Sequence, residues 1–401
     1  MFQDMGKFNY NDSRMAKFFS SEINRNYLQE FINKEGIILS NYDWYLSQGT
    51  IATDVTPVDN KGLATFSVKA RELKAATLMN LRAPLGEGYQ KEKGAMQWYA
   101  ATIPDFAADG FRETATERWY RMKMLGEEFG NDADLVDEYT DKVQDLVDSL
   151  NSTMTFMTAR LASTGELDYT GIGRGIQAPL HKANIPKSNF KKAGAKAWND
   201  ADCDLLHQMQ DAEDKWRKKF VQFANVPLVW QMTKNDYNNI LLKNKQVKEL
   251  WDSWAHYNFV AHLQNYDVAR SEFLKSLSDL NGISPIEIVD EQEQNIRWDG
   301  TVETVKGWAD GIAVLRPAGN AFSFQRKKIT DKAIFEALGN KMVDVTWATT
   351  NNGLGLLRNM VTPNGMYKEF KTDLFLASVP AMLDFPYRWI FDIKTAGAVT
   401  I

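Results

Sequence analysis

Cysteine occurs once in the 401 residues, at Cys203, and histidine only four times. A lone thiol excludes an intrachain disulfide framework and suits a reducing compartment. The histidines, His181, His207, His256 and His262, do not cluster, and H-E-x-x-H is absent. His256 and His262 stand six apart on a helical stretch and face different ways, so neither zinc nor another metal is expected. No uncharged apolar run is long enough to cross a bilayer, so no membrane partner is expected. The opening MFQDMGKFNYNDSRMAKFFSS carries Asp4 and lacks the apolar core of a signal peptide. A basic excess is missing too: 47 Lys and Arg against 52 Asp and Glu give a net charge of -5. That balance argues against a dedicated nucleic-acid gripper. A soluble chain, made and used in a cytoplasm, is the expectation.

Motifs of common chemistry are also absent. The sole Gly-Lys pair, Gly6-Lys7, precedes Phe8, which rules out the phosphate-binding loop, and G-x-S-x-G does not occur. DYTGIGRGIQAPL, Asp168 to Leu180, spaces Gly171, Gly173 and Gly175 two apart, but Ile176 occupies the place of the third glycine in a dinucleotide fingerprint. The loop follows a helix rather than a strand, and Pro179 bars a new helix, so it reads as a turn or hinge. No cofactor is expected. A nucleophilic Cys203 would need a histidine, and His207 lies one helical turn on; a buried thiol is the better reading. Carboxylates such as Asp290 to Gln294 (DEQEQ), beside some of the twelve tryptophans, leave a carbohydrate-active hydrolase as the enzymatic alternative. Trp251 and Trp254 at helical spacing, and Trp298 and Trp308 beside short strands, read instead as core. Two basic runs, HKANIPKSNFKKAGAK and QRKKITDK with Arg326, Lys327 and Lys328, read by default as solvated surface. Each could alternatively face DNA or an acidic patch.

What is present is pattern. From Asp132 to about Ser163, Tyr139, Val143, Leu146, Leu150, Met154, Met157 and Leu161 recur at steps of three and four. This spacing predicts a helix of about 45 Å, stopped by Gly165 in a left-handed cap. TIATDV (Thr50–Val55) and LATFSVKA (Leu63–Ala70) alternate like the strands of a hairpin, with Asp59 to Gly62 as its turn. A two-stranded hairpin is marginal alone, so by base rate it would join a larger sheet of its own subunit. Residues 13–33 add a short amphipathic pattern with Phe18 and Phe19. Asp267 to Gly282 reads as a helix stopped by Asn281-Gly282. SPIEIVDE, GIAVLRP and VDVTWATT read as short strands. One long helix with scattered sheets and small helices is an α+β chain, with no internal repeat and no linker between independent domains.

The helix ending in TARLASTGEL, followed by AKAWNDADCDLLHQM (Ala195–Met209), NVPLVWQMTKNDYNNILLKNKQVKEL (Asn225–Leu250), WADGIAVLRPAG (Trp308–Gly319) and SVPAMLDFPYRWIFDIKTA (Ser378–Ala396), resembles the major capsid proteins of tailed bacteriophages, the lambda-type protein E family. Herpesvirus capsid floors and encapsulins share that fold. The resemblance is one of order and pattern over most of the chain. It implies an N-terminal arm (1–45), an extended hairpin loop (46–95), a peripheral domain on a spine helix (96–198 and 352–401) and an axial domain (199–351). It implies self-assembly into pentamers and hexamers of an icosahedral shell, in the virion, built in the host bacterial cytoplasm and enclosing double-stranded DNA. Arm and loop would then lie on neighbouring copies, reversing the base-rate reading of the hairpin. The candidate inter-subunit contacts are Asp59, Asn60, Lys61, Phe66, Val68, Phe18 and Phe19. No large extra segment precedes the arm, so a separate scaffolding protein is expected, along with a portal and a maturation protease or decoration proteins. Lys61, Lys69 and Lys74 lie in or near the loop, but no covalent cross-link is expected. The alternatives are a tail-tube or decoration protein, which the long helix disfavours, and the hydrolase above.

Overall fold

The computed structural model describes residues 50–51, 56–58, 63–71, 97–103, 106–114, 132–167, 181–200, 202–257, 275, 282–289, 292–296, 301–326, 345–349, 354–361, 369–376 and 378–397. Its longest element is α1 (Asp132–Thr164), 33 residues. The periodicity expected of it is realised: Val143, Leu146, Leu150, Met154, Met157 and Leu161 are buried, while Asp141, Asp145 and Asp148 face solvent. The buried Thr158 hydroxyl returns to its own helix, donating to the Met154 carbonyl at 2.7 Å, so it adds no unmet polar group to the core. Gly165 ends the helix at φ 74, its N–H donating to the Leu161 carbonyl at 2.8 Å. That is the single-bond left-handed cap, which a side chain would strain.

Against α1 packs a four-stranded antiparallel sheet. Its order is β15 (Val345–Thr349), β16 (Leu354–Val361), β17 (Glu369–Leu376) and β5 (Phe106–Glu113). A three-stranded sheet also meets α1, ordered β1 (Thr50–Ile51), β14 (Phe322–Arg326) and β18 (Ser378–Met382).

The second body is a five-stranded mixed sheet, ordered β10 (Ile286–Val289), β9 (Leu228–Thr233), β13 (Ile312–Pro317), β19 (Trp389–Asp392) and β8 (Phe190–Lys192). Only β13 runs against its neighbours. All six residues of β9 are buried, as expected for a strand covered on both faces. α2 (Leu205–Lys219) contributes Leu205, Met209, Ala212 and Trp216 to the same core as Trp198, Trp230, Trp389 and Phe391. α3 (Lys245–Tyr257) lies beside α2 and follows a π-helical turn at Tyr237–Leu241. Two small pairs complete the described strands: β6 (Glu166–Leu167) with β7 (His181–Lys182), and β11 (Glu293–Ile296) with β12 (Val302–Val305). The architecture is α+β.

One expectation is corrected. The first hairpin strand is β2 (Thr56–Val58), not Thr50–Val55; Thr50 and Ile51 instead pair with Gln325 and Arg326 of β14. β3 (Leu63–Lys69), where the sequence put it, pairs with both β2 and β4 (Trp98–Ile103). The hairpin therefore belongs to a three-stranded sheet of its own subunit. The five-stranded sheet draws on both sides of residues 198 and 199: β8 and β19 come from segments expected to be peripheral, β9, β10 and β13 from the segment expected to be axial. Trp198 packs on both Trp230 and Phe391, which closes a single aromatic core across that line. Most of the helix expected at Asp267–Gly282 lies outside the described residues.

Candidate functional site: the junction of spine, hairpin and central sheet

The C-terminal end of α1 exposes carbonyls that its own last turn, without a basic side chain, does not meet. Arg388 meets one of them. It sits just before β19, fully buried, and its Nη1 donates to the Ala162 carbonyl at 3.0 Å. Its Nε and Nη2 donate to Asp384 Oδ1 and Oδ2 at 3.1 and 2.9 Å, a two-toothed ion pair four residues apart. The guanidinium also lies 5.4 Å from the Phe322 ring centroid. A cation at the negative end of a helix is favourable, and this one is supplied by the central sheet. Ala309 N–H adds a second tie, donating to Ser163 Oγ at 3.0 Å. Gly307 lies so close to the spine that a Cβ there would stand 2.6 Å from the Phe156 carbonyl oxygen.

The base of the hairpin sheet is held at the same place. Tyr99 on β4 is buried; its hydroxyl accepts from Met382 N–H at 2.9 Å, and its ring meets Phe385 edge-on at 5.0 Å. Burial raises the Tyr99 phenol well above its ordinary range. Arg71 continues the chain after β3 and donates to the Ala318 and Asn320 carbonyls, each at 2.8 Å, while its N–H reaches the Leu383 carbonyl at 2.7 Å. Nearby Arg316 donates to the Pro317 and Gly319 carbonyls at 2.9 and 2.8 Å. Burial above all brings its pKa down to about 10. Neutral carbonyls and two carboxylates, Asp384 and Glu287 (3.4 Å from Arg316 Nη2), thus fasten three sheets and the spine to one another.

Val68, expected at a contact between copies, is 2% exposed within its own chain, so it belongs to this anchored base. The opposite face of the sheet is open: Lys69 pairs with Trp98, and Trp98 is 60% exposed. Phe66 pairs with Ala101 in the backbone register. Asp59, Asn60, Lys61, Phe18, Phe19 and the loop of Gly171, Gly173 and Gly175 lie outside the described residues.

The chemical candidates resolve into structure. Cys203 is buried, its thiol directed at the Lys196 carbonyl, and burial with the nearby Asp200 and Asp204 pushes its pKa up to about 11. A thiol so protonated is a poor nucleophile. His181 is buried against the edge of Tyr99, with neither ring nitrogen hydrogen-bonded, and burial pulls its pKa down to about 4. The buried Glu213 carboxylate accepts from Trp230 Nε1 at 2.7 Å and from Ser284 N–H and Oγ at 2.8 and 2.7 Å, which pins α2 to the sheet. Among the described residues no cluster could hold a metal ion, and no helix is long and apolar enough to cross a membrane. Trp308 is core, as the sequence suggested, whereas Trp298, His262 and the side chains of Trp251, Trp254 and His256 lie outside the described residues.

In the basic run, Lys187, Lys192 and Lys196 are exposed, but Lys191 is buried, its Nζ 4.5 Å over the Trp389 ring. Burial, then the charges of Lys219 and Lys215, lowers its pKa to about 8. Between α2 and α3 opens a shallow groove of about 380 Å³, bordered by Asp204, Leu206, His207, Glu249, Leu250 and Ser253. Sequence reasoning missed Arg71, Tyr99, Asp384 and Arg388; the Asp–Arg spacing of four in DFPYR was the one visible signal.

No protein-family model and no curated protein matches the chain. Among solved structures it is similar to a protein described as the capsid protein of an E. coli CFT073 prophage, at 14% identity, covering 92% of this chain and 98% of that one, with a TM-score of 0.45. It is also similar to the capsid of cyanophage P-SCSP1u, at 12% identity over 90% of this chain and 91% of that one, TM-score 0.36. The capsid of Ralstonia phage GP4 is similar at 10% identity, over 88% of each chain, TM-score 0.36.

Proposed function

We propose that this chain is the major capsid protein of a tailed phage or prophage, whose work is mechanical. Many copies join as pentamers and hexamers and close into an icosahedral shell around double-stranded DNA. The observation that carries this reading is the spine: a 33-residue helix, apolar along one face, whose end is fastened by the buried Arg388 to a separate central sheet. A shell subunit needs such a rod, because it must carry load between contacts at its two ends without bending.

On this reading α1 with the β5, β15, β16 and β17 sheet forms the peripheral body, and the sheet from β8 to β10 with β13 and β19 forms the axial one. The hairpin sheet is anchored at Val68, Tyr99 and Arg71, and its turn reaches outward to a sibling. One patch meets a different patch on the next copy until a ring closes. Each contact can be weak, because several neighbours hold every subunit. A mildly acidic protein contains DNA rather than grips it. The subunit resides in the virion after assembly in the host bacterial cytoplasm, helped by a scaffolding protein, a portal, and a maturation protease or decoration proteins. Electron microscopy of the purified, overexpressed chain tests this: shells or six-membered rings are expected, and tubes or uniform monomers refute it.

A further inference from the structure

The axial body carries two unlike surfaces on opposite flanks of α2. One is a strip on the edge strand β8, where Phe190 is 47% exposed between the exposed Lys187 and Lys192. β8 has β19 on one side and no described strand on the other. The other surface is the groove of about 380 Å³, floored by Leu206 and Leu250 and bearing the exposed carboxylates of Asp204 and Glu249. Gln246 Nε2 holds Asp204 from across the groove at 2.8 Å. A half-exposed aromatic ring between two ammonium groups and an apolar floor between two carboxylates: the surfaces are complementary in polarity and in charge.

They cannot meet within one chain. Gln208 and Lys219 share one stripe of α2 and face the strip, Lys219 Nζ donating to Ser188 Oγ at 3.0 Å and Gln208 lying against Gly194. His207 and Gln210, which border the groove, project roughly 130° away around the helix, given 3.6 residues per turn. A surface pair separated in this way is satisfied head to tail, each copy offering its strip to the next.

We propose that the groove between α2 and α3 receives the Lys187–Lys192 strip of the neighbouring copy in a ring, with Phe190 against Leu206 and Leu250, and Lys187 and Lys192 facing Asp204 and Glu249. This rests on the shell-building reading and names the ring contact within it. The test places one thiol on each surface of the full chain, Phe190→Cys with Ser253→Cys, and oxidises the assembled particles with diamide. Cys203, buried and protonated, stays silent. A ladder of linked chains ending at pentamers and hexamers on a denaturing gel is expected. Particles that form without a ladder, or that close the bond inside single chains without a change of mass, overturn the contact and leave the capsid reading intact. An unmodified chain that assembles into nothing refutes both. In a second arm, Glu249→Lys lowers particle yield at least tenfold while leaving the circular dichroism spectrum of the subunit unchanged, and adding Lys192→Glu to the same chain restores it. Full yield from the single reversal, or no recovery in the double, overturns the pairing.

Discussion

Replacing Asp384 by alanine removes the partner of a guanidinium that has nowhere else to go. Arg388 is fully buried and gives two of its hydrogen bonds to Asp384, at 2.9 and 3.1 Å, and a third to the Ala162 carbonyl. Without the carboxylate, a buried positive charge keeps one neutral acceptor. Breaking one side of a buried pair in this way costs about 3–5 kcal/mol. Against a total stability of about 5–15 kcal/mol, the subunit is left marginal. The assay is urea unfolding of the unassembled subunit, read as a fall in midpoint at unchanged slope. The control is decisive: Asp384→Leu with Arg388→Met removes both charges, and such replacement of a buried pair by apolar residues is close to neutral. The double variant is expected to regain about 2 kcal/mol of the loss, the remaining deficit belonging to the Ala162 carbonyl left without its donor. If the double variant is as unstable as the single, or the single loses less than about 1 kcal/mol, the pair is not the fastening described.

Three further outcomes follow from the same geometry. Gly165→Ala puts a Cβ 2.7 Å from Ile185 Cδ1 at a φ of 74, so it is expected to lose at least about 1–2 kcal/mol in urea unfolding; an unchanged midpoint refutes the cap. His181 titrates near 4 when folded, below its ordinary 6.5, so the unfolded chain binds the extra proton first. Its contribution is therefore complete above pH 6.5 and lost as pH falls toward 4, by about 3 kcal/mol in all; His181→Phe should flatten that part of the stability profile, and an unaltered profile counts against the assignment. Deleting Thr56–Leu63 removes β2 and the turn but spares the base at Val68 and Tyr99, so sedimentation should show a folded, soluble subunit that builds no shells. An unfolded deletion variant would make the whole hairpin part of the subunit core.

The spine was legible because its information is local: one unbroken apolar stripe, then a glycine where the handedness must change. β3 was legible for the same reason. The first hairpin strand was displaced because Thr50–Val55 alternates as convincingly as any strand, and alternation says nothing about the partner. Its first two residues pair with β14, more than two hundred and fifty positions on. Pro57 in β2, a residue tolerated at sheet edges, was the overlooked cue. The make-up of the central sheet was not legible because sheet order departs from chain order, with β19 inserted between β13 and β8. Arg388 and Asp384 were missed because charged residues are by default read as wet. Only a helix end arriving from elsewhere makes a dry guanidinium worthwhile.

That insertion of β19 has a consequence in time. Phe190 of β8 finds its neighbour in Ile390, and β8 has no other partner in its sheet. At a synthesis rate of about 5–20 residues per second, the strand waits roughly 10–40 seconds on the ribosome before its place exists. A chain still short of Asp392 has no finished β8 edge. The order of the strands thus delays completion of the central sheet until translation has passed Asp392.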